Sequence, residues 1–193
     1  MSALNALRAK LRPGQVYRRS DLERWSNAVD RHISELVREN SLIKVSSGLY
    51  LRPKQTRFGA APADFTKLVK AFLNGGEFLM VSANAYNGLG VGTTQLYNEM
   101  VVYNRKRHGR FELDGRKFYF RNKPHFPKSL SQEFLLVDLV NNLGRLAEEH
   151  EAVLDRVRTK ALTMNTVKLR TTVQRYGKIK TKRLFEPLLE NAA

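Results

Sequence analysis

The chain has 193 residues, room for one large or two small domains, and 42% of them are hydrophobic, enough to build a core. Its 34 lysines and arginines outweigh 18 acidic residues, giving a net charge of +16, and it holds no cysteine. Disulfides, thiolate metal sites and a thiol nucleophile are therefore excluded, no apolar run approaches the ~20 residues of a membrane span, and a polyanion, nucleic acid first, is the expected partner.

The N-terminal stretch MSALNALRAKLRPG lacks the apolar core and cleavage site of a signal peptide. It reads instead as a short helix with Leu4, Leu7 and Leu11 on one face. Residues 15–52 then read as short strand, helix, tight turn, helix and two-stranded hairpin. Ser20 is the expected cap of the first helix, with Asp21 and Glu23 in its first turn and Leu22 and Trp25 as its apolar side. Ser26 is the expected cap of the second. There Val29, Ile33, Leu36 and Val37 recur with period 3.6, and Asn27, Asp30, Arg31, Ser34 and Arg38 fall off that face. Asn40 supplies a left-handed stop. Leu42, Ile43 and Val45 make a strand, Ser46-Ser47-Gly48 a turn and Leu49-Tyr50-Leu51 the return strand, which Pro53 ends.

That order is the order of a winged helix-turn-helix. In the motif the second helix enters the major groove with its N-terminal residues at base edges. Ser26, Asn27, Asp30 and Arg31 are thus the expected base-reading residues, since arginine forks onto guanine and asparagine onto adenine. Arg18, Arg19, Lys44, Ser46, Ser47 and Arg52 are the expected phosphate contacts, which position without specifying.

PKQTRFGAAPAD, rich in breakers and small residues, is the expected linker. It divides a winged-helix domain over 1–57 from an α+β domain over 62–193. Asp64 caps a helix carrying Phe65, Leu68, Val69 and Phe72, which stops at Asn74-Gly75-Gly76. Residues 78–81 form a buried strand or the start of a helix, and residues 82–89 a short helix ended by Gly90 or Gly92. Residues 100–103 are β-rich. Asp114-Gly115 between apolar runs signals a tight hairpin, because a type I′ turn needs positive φ at both central residues. Helices follow from Ser131, around Val153, Leu154 and Val157, from Asn165 or Thr166, and from Thr181. The expected fold is α+β, with a small antiparallel sheet and C-terminal helices behind the winged helix.

The middle stretch SANAYNGLGVGTTQLYNEMVVYNRKRHGR resembles the AbiEi-like antitoxins of type IV toxin–antitoxin systems, in their short form with an N-terminal winged helix. The resemblance is carried by Leu89-Gly90, by Thr93-Thr94-Gln95 and by Val101-Val102-Tyr103-Asn104 ahead of Arg105-Lys106-Arg107. Gly48-Leu49-Tyr50 and Arg57-Phe58-Gly59 fit the N-terminal part. The chain departs at Val91-Gly92, two residues where the family pattern has one. The resemblance covers about residues 10–145. It implies a cytoplasmic transcriptional regulator that binds repeats in its own promoter and opposes a nucleotidyltransferase toxin without a required stable complex.

Arg105, Lys106, Arg107 and Arg110 form the densest basic run, either a second polyanion surface or a solvated strand edge that discourages aggregation. Tyr119, Arg121, Lys123 and His125 are placed to extend it, and 168–183 is a further basic region. These segments leave open an RNA-binding or toxin-binding module with the winged helix as scaffold. Enzymatic chemistry has little support. The four histidines show no metal-ligand spacing, no Walker lysine follows a glycine-rich loop and no serine sits in a nucleophile elbow. No cofactor or metal is expected.

Overall fold

A computed structural model describes residues 2–190. The fold is mixed α+β, with small antiparallel sheets and C-terminal helices. The chain divides into two compact units: one through Gly76 together with Phe111–Lys117, the other Glu77–Arg110 together with the chain from Phe118 onward.

In the first unit, helix α1 (Ala3–Lys10) precedes strand β1 (Val16–Arg18), helices α2 (Arg19–Glu23) and α3 (Val29–Arg38), and strands β2 (Ile43–Ser46) and β3 (Leu49–Leu51). The three strands form one sheet in the order β1-β3-β2, with both pairings antiparallel. The leucine spacing read in the sequence does place Leu7 and Leu11 inside. They join Tyr17, Leu22, Val29, Ile33, Leu36 and Leu42 in one apolar cluster. Each fully buried aliphatic side chain of this kind contributes ~1.5–3 kcal/mol. Asn40 takes the left-handed conformation, φ 56°, and stops α3 as its position implied.

Two expected caps are displaced. Helix α2 starts at Arg19, before Ser20, and the Asp21 carboxylate accepts the Arg18 N–H at 2.9 Å. Helix α3 starts at Val29 behind Ala28, which has no side-chain cap. Ser26 instead closes the preceding turn, its Oγ accepting the Ala28 N–H at 3.2 Å.

The expected linker carries structure. Strands β4 (Lys54–Thr56) and β5 (Gly59–Ala61) pair antiparallel. Thr56 Oγ1 closes their turn by donating to Gly59 O and accepting from Phe58 N–H. Helix α4 (Phe65–Phe72) begins where Asp64 accepts the Lys67 N–H at 2.9 Å and ends at Asn74, φ 53°.

The second unit contains strand β6 (Phe78–Ser82), a 3-10 turn (Ala83–Leu89) and strand β7 (Glu99–Asn104), followed by strands β8 (Gly109–Leu113) and β9 (Arg116–Asn122), of which Phe111–Leu113 and Arg116–Lys117 belong to the first unit. The sheet order is β6-β7-β9-β8, so β9 sits between two strands that precede it. Asp114 and Gly115 turn the β8–β9 hairpin with φ of 52° and 69°, the positive pair the sequence signalled. The hairpin tip belongs to the first unit: Asp114 N–H donates to Val45 O, and Phe111 packs on Phe72 with ring centroids 4.9 Å apart. Gly90 (φ 71°) and Gly92 (φ 82°) take left-handed backbone on either side of the buried Val91.

Helices α5 (Gln132–Asn142), α6 (His150–Leu162), α7 (Thr166–Tyr176) and α8 (Ile179–Glu190) close the chain. Ser131, where the helical pattern begins, caps α5, and of the alternatives Asn165 and Thr166 it is Asn165 that caps α7. Thr181 does not cap α8. It lies inside the helix, buried, and donates to Asn141 Oδ1 at 2.8 Å. No helix among the described residues is long and apolar enough to cross a membrane.

Candidate nucleic-acid interface

Helix α3 divides its residues cleanly. Val29, His32, Ile33 and Leu36 face the core, while Asn27 just ahead of the helix and Asp30, Arg31, Ser34 and Arg38 along it are exposed. Arg31 and Arg38 form no ion pair among the described residues. Ser34 donates to Asp30 O and turns its hydroxyl onto the helix backbone. Ser26 does not join this row. It is buried, with Oγ 2.7 Å from His32 Nδ1, and its expected base-reading position is corrected to a core hydrogen bond.

An open recess of about 370 Å³ lies ahead of α3, lined by Arg19, Glu23, Asn27, Asp30 and Arg31 among others. Arg19 organises it. Its Nε and Nη2 each reach an Asp30 oxygen at 2.7 Å, and its Nη1 stands 3.3 Å from Glu23. The guanidinium holds the exposed Asp30 carboxyl below the usual carboxylate range, chiefly through these hydrogen bonds, and Arg19 is raised in turn. Backbone geometry ties the same residue to the β2–β3 turn, because Arg19 N–H donates to Gly48 O at 2.9 Å. The turn Ser46-Ser47-Gly48 and the start of α3 therefore share one neighbourhood.

The other expected phosphate contacts divide. Lys44 and Ser47 are exposed and Ser46 is half-buried. Arg18 is committed to the fold, its Nη1 donating to the Ala71 carbonyl at 3.0 Å. Arg52 is likewise committed, donating from Nη1 to Ser41 O at 2.8 Å, and its Nε is buried without a partner. These two arginines tie segments of the first unit together and are not presented to solvent as free cations. Trp25 is 40% exposed beside the recess-forming segment and meets Tyr17 edge-on, with centroids 6.1 Å apart.

The basic run of the second unit is largely engaged. Arg105 pairs with Glu77 at 3.2 Å and donates to Pro124 O, and Arg110 pairs with Glu99 at 2.7 Å and lies over the Tyr119 ring. Lys106 and Arg107 are exposed, and their backbone N–H groups are held by Asn104 Oδ1.

One polar centre of this unit went unread in the sequence. Asp138 is 1% exposed on α5, and its two oxygens accept from Tyr86 OH at 2.8 Å and Tyr103 OH at 2.6 Å. Burial first, and the carboxylate second, push both phenols above their ordinary value, so they stay protonated donors. The signal was an aspartate inside the otherwise apolar run Phe134-Leu135-Leu136-Val137-Asp138-Leu139-Val140.

No family model matches the chain, and no curated protein matches it significantly.

Proposed function

We propose that the first unit is a winged helix-turn-helix that binds double-stranded DNA, with α3 in the major groove and the β2–β3 turn against the backbone. The observation that carries this reading is the outward row of α3: Asn27, Arg31 and Arg38 are exposed above a buried apolar face, and the two arginines are unpaired among the described residues. Cations that pair with nothing in the fold are available to a polyanion. Arg31 and Asn27 are the base-reading candidates, Lys44 and Ser47 the phosphate contacts, and Asp30 holds Arg19 until a phosphate competes for it. The net charge of +16 supplies the attraction.

The test is a titration of the protein against the DNA upstream of its gene and a scrambled duplex, at two salt concentrations. Arg31→Ala is expected to cost ~1–3 kcal/mol on the specific duplex and to relax the preference at one base position. Lys44→Ala is expected to weaken both duplexes alike and to reduce the salt slope by about one. Unchanged affinity of Arg31→Ala for both duplexes removes α3 as the reading helix.

The regulatory role rests on the resemblance carried by residues 82–110. On that reading the protein is an antitoxin-type regulator that represses its own operon and opposes a nucleotidyltransferase toxin. Co-expression with such a toxin tests it separately: rescue of growth supports the role, and no rescue leaves a DNA-binding regulator without it.

A further inference from the structure

A second group of cations stands in the other unit, where β9 meets the end of α5. Strand β9 alternates. Phe118 and Phe120 are fully buried on one side, Tyr119 and Arg121 occupy the register of the other, and Lys123 follows the last residue of the strand. Arg121 Nη1 donates to Asn142 Oδ1 at 2.5 Å, and its guanidinium carbon lies 5.9 Å from the Tyr103 ring centroid. Lys123 Nζ stands 4.4 Å above the same ring. Lys178, ahead of α8, donates from Nζ to Asn141 O at 2.6 Å.

The nearby carboxylates offset these three only in part. Asp138 has both oxygens on tyrosine hydroxyls. Glu99 has one oxygen on Arg110 and the other on Arg145. Arg121 and Lys178 donate to neutral oxygens, and Lys123 Nζ makes neither a hydrogen bond nor an ion pair among the described residues. Burial lowers the pKa of both Lys123 and Lys178, the Asp138 carboxylate opposes that shift and the Arg121 guanidinium adds to it, which places the three cations and the carboxylate in one field. The platform beneath them is fixed. Asn142 Nδ2 donates to Tyr103 OH and to Asp138 O, and Asn141 accepts from Lys178 N–H and Thr181 Oγ1.

Tyrosine faces alone do not account for this arrangement. Cation–π contact stabilises one cation per face, and the single Asp138 carboxylate, held by two phenols, raises the two lysines less than burial and the neighbouring cations lower them, so positive charge is left in excess. A guanidinium with four remaining N–H donors and two ammonium groups on a rigid platform match the charge and the several acceptors of a phosphate group. We infer that Arg121, Lys123 and Lys178 form an oxyanion site that takes a phosphate group. The site uses no residue of the α3 face, so it stands or falls independently of the DNA reading.

The test is calorimetric titration of the full chain with inorganic phosphate, and with a single-stranded oligonucleotide of mixed sequence. Lys123→Gln is the first variant, because its ammonium makes only the contact with the Tyr103 ring and neither a hydrogen bond nor an ion pair among the described residues. The Lys123→Gln, Lys178→Gln double variant is the second, with near-ultraviolet circular dichroism to check packing. Saturable phosphate binding that Lys123→Gln weakens at least tenfold, and that Arg31→Ala leaves unchanged, supports the site. With that result in hand, competition by the oligonucleotide assigns the phosphate to a nucleic-acid backbone, and absence of competition assigns it to a free phosphate or small ester. Absence of saturable binding of either probe, or binding that the double variant retains in full while folded, overturns it.

Discussion

Asp30 and Asp138 each meet the surplus of positive charge, at opposite extremes of burial. Asp30 opens α3 with its side chain 74% exposed and takes one guanidinium, that of Arg19. Asp138 is 1% exposed and takes two phenols, with Arg121, Lys123 and Lys178 nearby and in no ion pair among the described residues. An exposed pair in water contributes little to stability, because solvent screens it and two long side chains lose freedom in making it. A buried carboxylate is held by its donors, and its loss leaves them stranded. The first region is therefore free to exchange partners, and the second is a fixed platform on which charge is displayed.

The sharpest way to break this contrast is to remove both carboxylates. Asp138→Ala is expected to destabilise the protein by ~3–5 kcal/mol, the range for breaking a buried charged network by deleting one member. Tyr86 OH loses its acceptor, Tyr103 OH keeps only the Asn142 amide, and Arg121, Lys123 and Lys178 lose the nearest negative charge. Asp138→Asn is expected to fall between the variant and the parent, since the amide oxygen still accepts from one phenol while its NH₂ opposes the other. Urea unfolding followed by circular dichroism checks both. An Asp138→Ala midpoint equal to that of the parent would place Asp138 in the same class as Asp30 and dissolve the contrast.

Gly177 sharpens the same point one step out. A Cβ at this position would sit 2.5 Å from the Val173 carbonyl oxygen and 3.3 Å from Lys182 Cγ. The backbone there is tied down by the Gly177 N–H to Val173 O bond at 2.9 Å. Gly177→Ala is expected to cost ~1–3 kcal/mol, as for other overpacked positions, and to weaken phosphate binding by moving Lys178. Thermal unfolding with phosphate titration reads both effects. Loss of stability with full phosphate affinity would separate Lys178 from the site.

How much of this was legible depends on how far apart the partners lie in sequence. Helices α1 and α3 follow from apolar spacing, and the Asp114-Gly115 turn from the need for positive φ, because each signal is local. The expected linker hid strands β4 and β5, whose residues are mostly exposed and carry no alternation of burial. Ser26 looked like a cap because nothing local announces His32 as its partner six residues on. Arg18 and Arg52 looked like phosphate contacts, yet their carbonyl partners lie 53 and 11 residues away. The site around Asp138 joins residues separated by 52 and 35 positions. Only the isolated charge in an apolar helix hinted at it. The alternation along β9 was within reach, since Phe118 and Phe120 interleave with Tyr119 and Arg121, but their common platform was not.

The smallest expected change in stability, and the most direct probe of the first region, is Asp30→Asn. The sign of its pH dependence follows from the lowered carboxyl. Its contribution is fully present above the ordinary carboxylate range and fades as pH falls through the depressed value. The Asn variant lacks that dependence and should unfold at nearly the parent midpoint at neutral pH. On DNA the same change should act the other way. It removes a negative charge from the start of α3 and frees the Arg19 guanidinium, with Glu23 left as a second, longer partner at 3.3 Å. Affinity is expected to rise several-fold on specific and scrambled duplexes alike, with the salt slope steeper by about one, because the added contact is to phosphate and reads no base. Glu23→Gln combined with Asp30→Asn should extend the gain. If Asp30→Asn instead binds its promoter more weakly while the scrambled duplex is unaffected, the Arg19–Asp30 pair is holding α3 in its reading orientation, and Asp30 belongs with the specificity-setting residues rather than with the brakes on charge.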